Sequence, residues 1–295
     1  MRARVLTSLV LCATALSAVA QDERQFEAGR TADRQNWEWR ARQGIESSEA
    51  EKAVQSVIDA ISKRDCNAAA SRLNAGLAKA YPDVLVLAGA MTEDGVCLKP
   101  NWERAVGFYE KAASAGRAEA VARIAAGYAA AAGGRDKAAA LWWSVRAKTP
   151  LPAPCAQVGA LAEDPDRFVA ALQAWPAGQL DACVYAAAVM ATIQSEAAYA
   201  GLAASYGLQG KARFDFAPAQ GRVDVTEDWS AMPAKTGVVA DAATRERDQR
   251  AAQAALSSAL RELADRALKR YDKPAAVPSA WRVQSEYAYA AAAAR

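Results

Sequence analysis

Two adjacent carboxylate pairs, Glu93-Asp94 and Glu227-Asp228, and five cysteines are the residues of this 295-residue chain whose types could do chemistry. Neighbouring carboxylates serve as general acid and base when their surroundings push their pKa values apart. Here both pairs sit in loop-like stretches, TEDG and TEDW, and read as solvated turns. The chain contains no histidine. Ser–His and Cys–His catalysis, histidine-ligated metals and a histidine pH switch are therefore excluded. The cysteines show no Cys-x-x-Cys spacing that would suggest zinc. No glycine-rich phosphate cradle occurs, and Gly133-Gly134 reads as a tight turn between helices. The sequence thus offers no catalytic residue, no cofactor site and no metal site.

The elements that would position any function are helical. NWERAVGFYEKAASAG is followed at once by RAEAVARIAAGYAAAAGGRDKAAALWWSVRAK, and Phe108-Tyr109 recurs as Trp142-Trp143 after 34 positions. A self-similarity of that period predicts stacked helix–turn–helix units, a solenoid whose units bury their apolar faces on one another. In the first unit, Val84, Leu85, Leu87, Ala88 and Met91 form an apolar stripe, Gly95 supplies a turn, and Asn101 is the predicted N-cap of the next helix. Trp102, Ala105, Val106, Tyr109 and Ala112-Ala113 give that helix its own stripe, and Gly116 closes it.

These residues resemble the Sel-one-like repeat, a relative of the tetratricopeptide repeat, over about residues 82–148. Gly89 fits the family's Leu-Gly position with Ala88 in place of Leu, and Gly95 fits the first loop glycine. Cys97 stands where the second would be, Leu98 takes the Val place, and Asn101 replaces an Asp. Phe108-Tyr109-Glu110-Lys111-Ala112-Ala113 matches the helix B signature closely. The second unit keeps Ala118-Glu119-Ala120, Ile124, Tyr128, Lys137, Ala139 and Trp142-Trp143, with a shorter loop. The resemblance implies a repeat core of Trp102, Phe108, Tyr109, Tyr128, Trp142 and Trp143. It also implies an adaptor or regulatory role in envelope assembly or signalling. Asn67 to Tyr81 reads as a degenerate preceding helix.

Arg2 and Arg4, the apolar run Val5 to Leu16, and Ala18-Val19-Ala20 form a secretory signal peptide cleaved before Gln21. Cys12 lies inside the apolar run behind the bulky Leu11, which argues against a lipidated cysteine. Cleavage leaves Cys66, Cys97, Cys155 and Cys183, an even number suited to disulfides in an exported chain. Sequence order and repeat geometry suggest Cys66–Cys97 and Cys155–Cys183. Removing Arg2 and Arg4 from 36 basic residues leaves 34 against 33 acidic ones. A nearly neutral protein gives no support to generic nucleic-acid binding.

Residues 21–48 read as a polar arm anchored by Trp37 and Trp39. Ser48 caps a predicted helix over 49–63, faced by Val54, Val57, Ile58 and Ile61. The helical-repeat domain spans 49–148. The prolines of TPLPAPC interrupt it, and a degenerate helical continuation follows over 149–210, with helices at 156–162, 165–174 and 179–207, the last broken near Ser195. Alternation in ARFDF and RVDV predicts a β-hairpin over 211–226. A long helix is expected over 241–271 with Leu256, Leu260, Leu263, Ala267 and Tyr271 on one stripe. The tail 272–295 shows no strong pattern before a terminal helix.

The fold class that follows is mostly α: an α-α helical-repeat solenoid with a short β-hairpin and a long C-terminal helix. The leading functional reading is a periplasmic or secreted scaffold, not an enzyme, that binds a protein or peptide partner in a concave groove. Two alternatives stand beside it. One is an envelope hydrolase acting on cell-wall or β-lactam substrates, because some cysteine-rich relatives of the repeat family have been associated with penicillin binding. The other is a structural homo-oligomer assembled through 241–271.

Overall fold

The computed structural model describes residues 48–130, 134–176, 178–199, 202–232 and 242–289. The signal peptide, Gln21, Cys12, the arm with Trp37 and Trp39, Gly133 and the last six residues lie outside the described residues. Within them the chain is mostly helical, with eleven α-helices and a three-stranded antiparallel sheet.

Local sequence explains where the first helices begin and end. Helix α1 (Glu49–Ser62) starts with a capping box: Ser48 Oγ accepts from the Glu51 amide at 3.2 Å, and the Glu51 carboxylate accepts from the Ser48 amide at 2.7 Å. Helix α2 (Cys66–Ala78) is capped by Asp65, and α3 (Pro82–Asp94) opens with proline at its first position. Gly95 ends α3 at φ 73°, a left-handed conformation that a glycine adopts without penalty. Asn101 and Asp136 cap α4 (Trp102–Ser114) and α6 (Lys137–Arg146), with α5 (Glu119–Ala129) between them.

These six helices pack in succession. Helix α1 lies against α2 and α3, α3 against α4, α4 against α5, and α5 against α6. Val57, Leu73, Val84 and Met91 fill the first core, and Leu85, Tyr109 and Ile124 the next. Small residues allow close approach inside them: a methyl group at Gly76 would lie 2.9 Å from Val84, and one at Gly127 would overlap the Trp102 ring at 1.9 Å.

Pro152 and Pro154 flank the start of the short α7 (Ala153–Ala156), which runs into a 3-10 turn (Gln157–Leu161) and then α8 (Pro165–Gln173). Helix α9 (Gln179–Ala197) is apolar on all sides and packs along α5, α6 and the C-terminal elements. An alanine-on-alanine contact, Ala122, Ala125 and Ala126 against Ala191, lets α9 approach α5 closely. The sequence expectation of a break near Ser195 is corrected: the helix runs through it, and Ser195 Oγ donates to Thr192 O at 2.8 Å. The break comes after Ala198, before α10 (Leu202–Ser205).

The hairpin is longer than expected and is not alone. Strands β1 (Leu208–Ala217) and β2 (Arg222–Ala231) pair with Phe214 opposite Val225. A third strand, β3 (Val283–Tyr289), adds to the other edge of β1, so the order is β2-β1-β3. This corrects the reading of the tail as patternless. VQSEYAY alternates, and its Val283, Ser285 and Tyr289 are buried. The long helix α11 (Ala242–Lys269) lies on the sheet. Its stripe of Leu256, Leu260, Leu263 and Ala267 is buried with Phe214, Phe216 and the α9 residues Val189, Met190 and Ile193. Each such leucine contributes about 1.5–3 kcal/mol on burial. The stripe is therefore consumed inside the chain, and any self-association through α11 must use its charged, alanine-rich outer face.

Candidate binding groove and buried carboxylate cradle

An open groove of about 660 Å³ lies over α2, α3 and α4. Leu77, Leu85 and Phe108 give it apolar walls, and Glu110 and Lys111 add charge. Gly107 stands in the interior of α4, where glycine costs about 1 kcal/mol relative to alanine. A methyl group there would meet no atom within 4 Å, so the backbone itself faces the open space. The guanidinium of Arg104 stands 5.5 Å from the Phe108 ring centre and shields that half-buried ring. A second cleft, of about 570 Å³, is walled by Trp281, Val277 and Pro278 against Pro154 and Ala182.

The carboxylate pairs are not solvated turns. Helix α3 extends through Asp94, and Glu93 in its last turn is only 6% exposed. Tyr109 from α4 donates to Glu93 Oε2 at 2.7 Å, and Arg123 Nε from α5 donates to the same oxygen at 2.9 Å. Arg270, just beyond α11, donates to Oε1. Burial alone would raise the Glu93 pKa, but Arg123, Arg270 and the tyrosine hydrogen bond outweigh it and hold the carboxyl below its ordinary value. Burial and the adjacent Glu93 charge push Asp94 the other way, although its side chain is 56% exposed and lies 3.7 Å from Arg123 Nη2. Burial also pushes the Tyr109 phenol well above its usual range, so it remains a hydrogen-bond donor. Next to this cradle, Tyr271 donates to Ala126 O at 3.0 Å, one of the last carbonyls of α5, and lies 2.8 Å from the Thr192 hydroxyl.

The half-buried Glu227 also turns its side chain, 8% exposed, against α11. It accepts from Trp229 Nε1 at 2.7 Å and from Ser257 Oγ, and Arg261 stands 3.6 Å from its other oxygen. Asp228 remains exposed on the outer face of β2. This arrangement ties the long helix to the edge strand, and Gln253 adds a bond to Trp229 O at 3.2 Å. Neither carboxylate pair forms a two-carboxylate acid–base site, because in each pair one member is buried in ion pairs and the other faces out.

The six aromatics of the expected repeat core occupy different environments. Tyr109 is fully buried; Trp102, Phe108, Tyr128, Trp142 and Trp143 are half-buried. Trp102 meets Tyr128 edge-on at 5.1 Å, and Trp142 meets Trp143 edge-on at 4.9 Å. Trp143 covers the alanine cluster between α5 and α9. Trp142 donates its indole N–H to Ala162 O at 3.0 Å, which ties α6 to the 3-10 turn.

Both disulfides form as paired in sequence order. Cys66–Cys97 joins the start of α2 to the loop after α3, and Cys155–Cys183 joins α7 to α9. Two disulfides fit an oxidising, extracytoplasmic compartment. Among the described residues, no helix is long and apolar enough to cross a membrane, and no group of three or more Cys, Asp or Glu residues is placed to hold a metal ion. Sequence reasoning missed Arg123 and Arg270, which meet Glu93 from 30 and 177 positions away. No local pattern signals such a meeting. The chain matches no protein family, no curated protein and no solved structure.

Proposed function

We propose that this chain is an exported helical-repeat scaffold that binds a protein or peptide partner in the bacterial cell envelope, through the groove over α2, α3 and α4. The observation that carries the reading is the groove itself: apolar walls at Leu77, Leu85 and Phe108, with bare helix backbone at Gly107. An amphipathic segment laid there would bury its apolar face and place its backbone close to α4. The succession of helix pairs supports a Sel-one-like solenoid over about residues 82–148 with a degenerate helix before it, as does the packing of Gly89 under Tyr109. Cleavage before Gln21 and residence in the periplasm or outside the cell complete the reading, supported by the two disulfides.

Affinity capture from envelope extract of the native host tests this. Gly107→Trp would fill the groove without touching the core, so its circular dichroism should match the wild type and its urea midpoint should not fall below it. The wild type should retain a partner that this variant loses. Equal capture by both proteins would reject the groove as the binding surface.

A further inference from the structure

The Glu93 cradle has an unequal set of walls. Tyr109 and Arg123 project from the bodies of α4 and α5 and are locked by their helices. Arg270 comes instead from the first residue past α11, where a helix end frays at low cost. The fully buried part of the α11 stripe ends at Ala267; Leu268 and Tyr271 continue against the same core only half-buried, and Arg270 is not part of it. Beyond α11, residues 270–282 carry no helix or strand. Arg270 and Tyr271 thus form a two-residue strap over the ends of α3 and α5, held by Glu93, Ala126 O and Thr192.

Charge says what the cradle would hold if the strap lifted. Glu93 and Asp94 would face the single cation Arg123; Glu196 of α9, the next acidic group near that arginine, is already paired with Arg266 at 2.7 Å. One net negative charge would remain at a preorganised carboxylate whose other oxygen is already bonded to Tyr109 and Arg123. A planar guanidinium suits it, since it can bond Glu93 Oε1 and still reach the outward-facing Asp94. An ammonium offers only a point charge.

We propose that this cradle is a recognition site for an arginine side chain, that Arg270 is its internal occupant, and that an arginine presented by a partner displaces the strap. The site lies on the α3–α5 side and does not depend on the groove reading. Its consequence is competition: binding of an external guanidinium is weakened by the fraction of molecules whose strap is closed.

Calorimetric titration of the full chain with ethylguanidinium and with ethylammonium tests it. Arg270→Ala should bind ethylguanidinium saturably and much more tightly than ethylammonium. The wild type should bind it at least about tenfold more weakly, because Arg270 competes. Arg270→Ala combined with Glu93→Gln should not bind. If Arg270→Ala does not fold alone, its refolding by ethylguanidinium, and not by ethylammonium, supports the site equally. No binding and no rescue, equal response to the two cations, or equal affinity in wild type and Arg270→Ala would overturn the proposal. In the wild type, saturating acetyl-argininamide should speed amide exchange at Arg270 and Tyr271, and unchanged exchange would overturn displacement of the strap.

Discussion

A methyl group placed at Gly89 would stand 2.4 Å from Cε1 of Tyr109, well inside van der Waals contact. The glycine on α3 exists in this packing because the tyrosine on α4 lies flat against its backbone. Gly89→Ala should therefore destabilise the fold by about 1–3 kcal/mol through overpacking. Gly107→Ala, whose added methyl meets nothing, should stabilise it by about 0.5–1 kcal/mol through helix propensity. Urea denaturation of the two variants checks this, and the midpoints should move in opposite directions.

Tyr109 contributes both a buried ring and a hydrogen bond, and two substitutions separate them. Tyr109→Ala should cost about 3–5 kcal/mol, from lost burial plus the cavity left behind. Tyr109→Phe keeps the ring and removes a bond to a charged carboxylate, for which about 1.5–3 kcal/mol is expected. Trp143→Ala should cost less than Tyr109→Ala, since that indole is only half-buried. Chemical denaturation ranks the three.

The helical half was largely legible in the sequence, because its signals are local. Ser48, Asn101 and Gly95 act within three or four residues of themselves, and the aromatic pair repeats at a fixed spacing. The site was much less legible. TEDG looks like a turn because acidic residues beside a glycine usually are solvated, yet α3 continues to Asp94 and buries Glu93. Its partners come from three other segments, and no spacing rule joins residues 93, 109, 123 and 270. Strand β3 did carry its signal, alternation over Val283 to Tyr289. A seven-residue strand that follows a proline-containing coil earns little weight until β1 supplies its partner. The stripe on α11 was read correctly as apolar, but periodicity alone does not tell a partner chain from an internal sheet.

The Glu93 carboxyl also sets a pH dependence. Its folded pKa lies below the ordinary value of 4.5, because Arg123, Arg270 and Tyr109 together outweigh the burial that would raise it. A depressed folded pKa contributes stability that is fully present above the unfolded pKa and is lost as pH falls through the folded value. Asp94 has the opposite sign: its raised pKa costs stability at neutral pH, and that cost disappears on acidification. Glu93→Gln should therefore be less stable than the wild type at neutral pH, with the gap closing in acid. Asp94→Asn should be neutral or mildly stabilising at neutral pH. Urea midpoints across the acidic range test both signs.

The disulfides close loops of 31 and 28 residues, for which the chain-entropy account gives about 3–4 kcal/mol each. Replacing either pair with serine should lower the urea midpoint accordingly. Thiol counting adds a test of export: protein from the native host, if cleaved before Gln21, should begin at that residue and show no free thiol under denaturing, non-reducing conditions. Retention of Cys12 would leave one.

Site-specific photocrosslinking tests the central claim, partner binding through the groove, most directly. A benzoylphenylalanine at position 107 looks into the groove, and one at position 226 sits on the outer face of the sheet. After irradiation in envelope extract from the native host, position 107 should yield a discrete adduct that joins the α4 peptide carrying that position to one segment of a partner. Position 226 should not yield it. No adduct at 107, or the same adducts at both positions, would contradict the account.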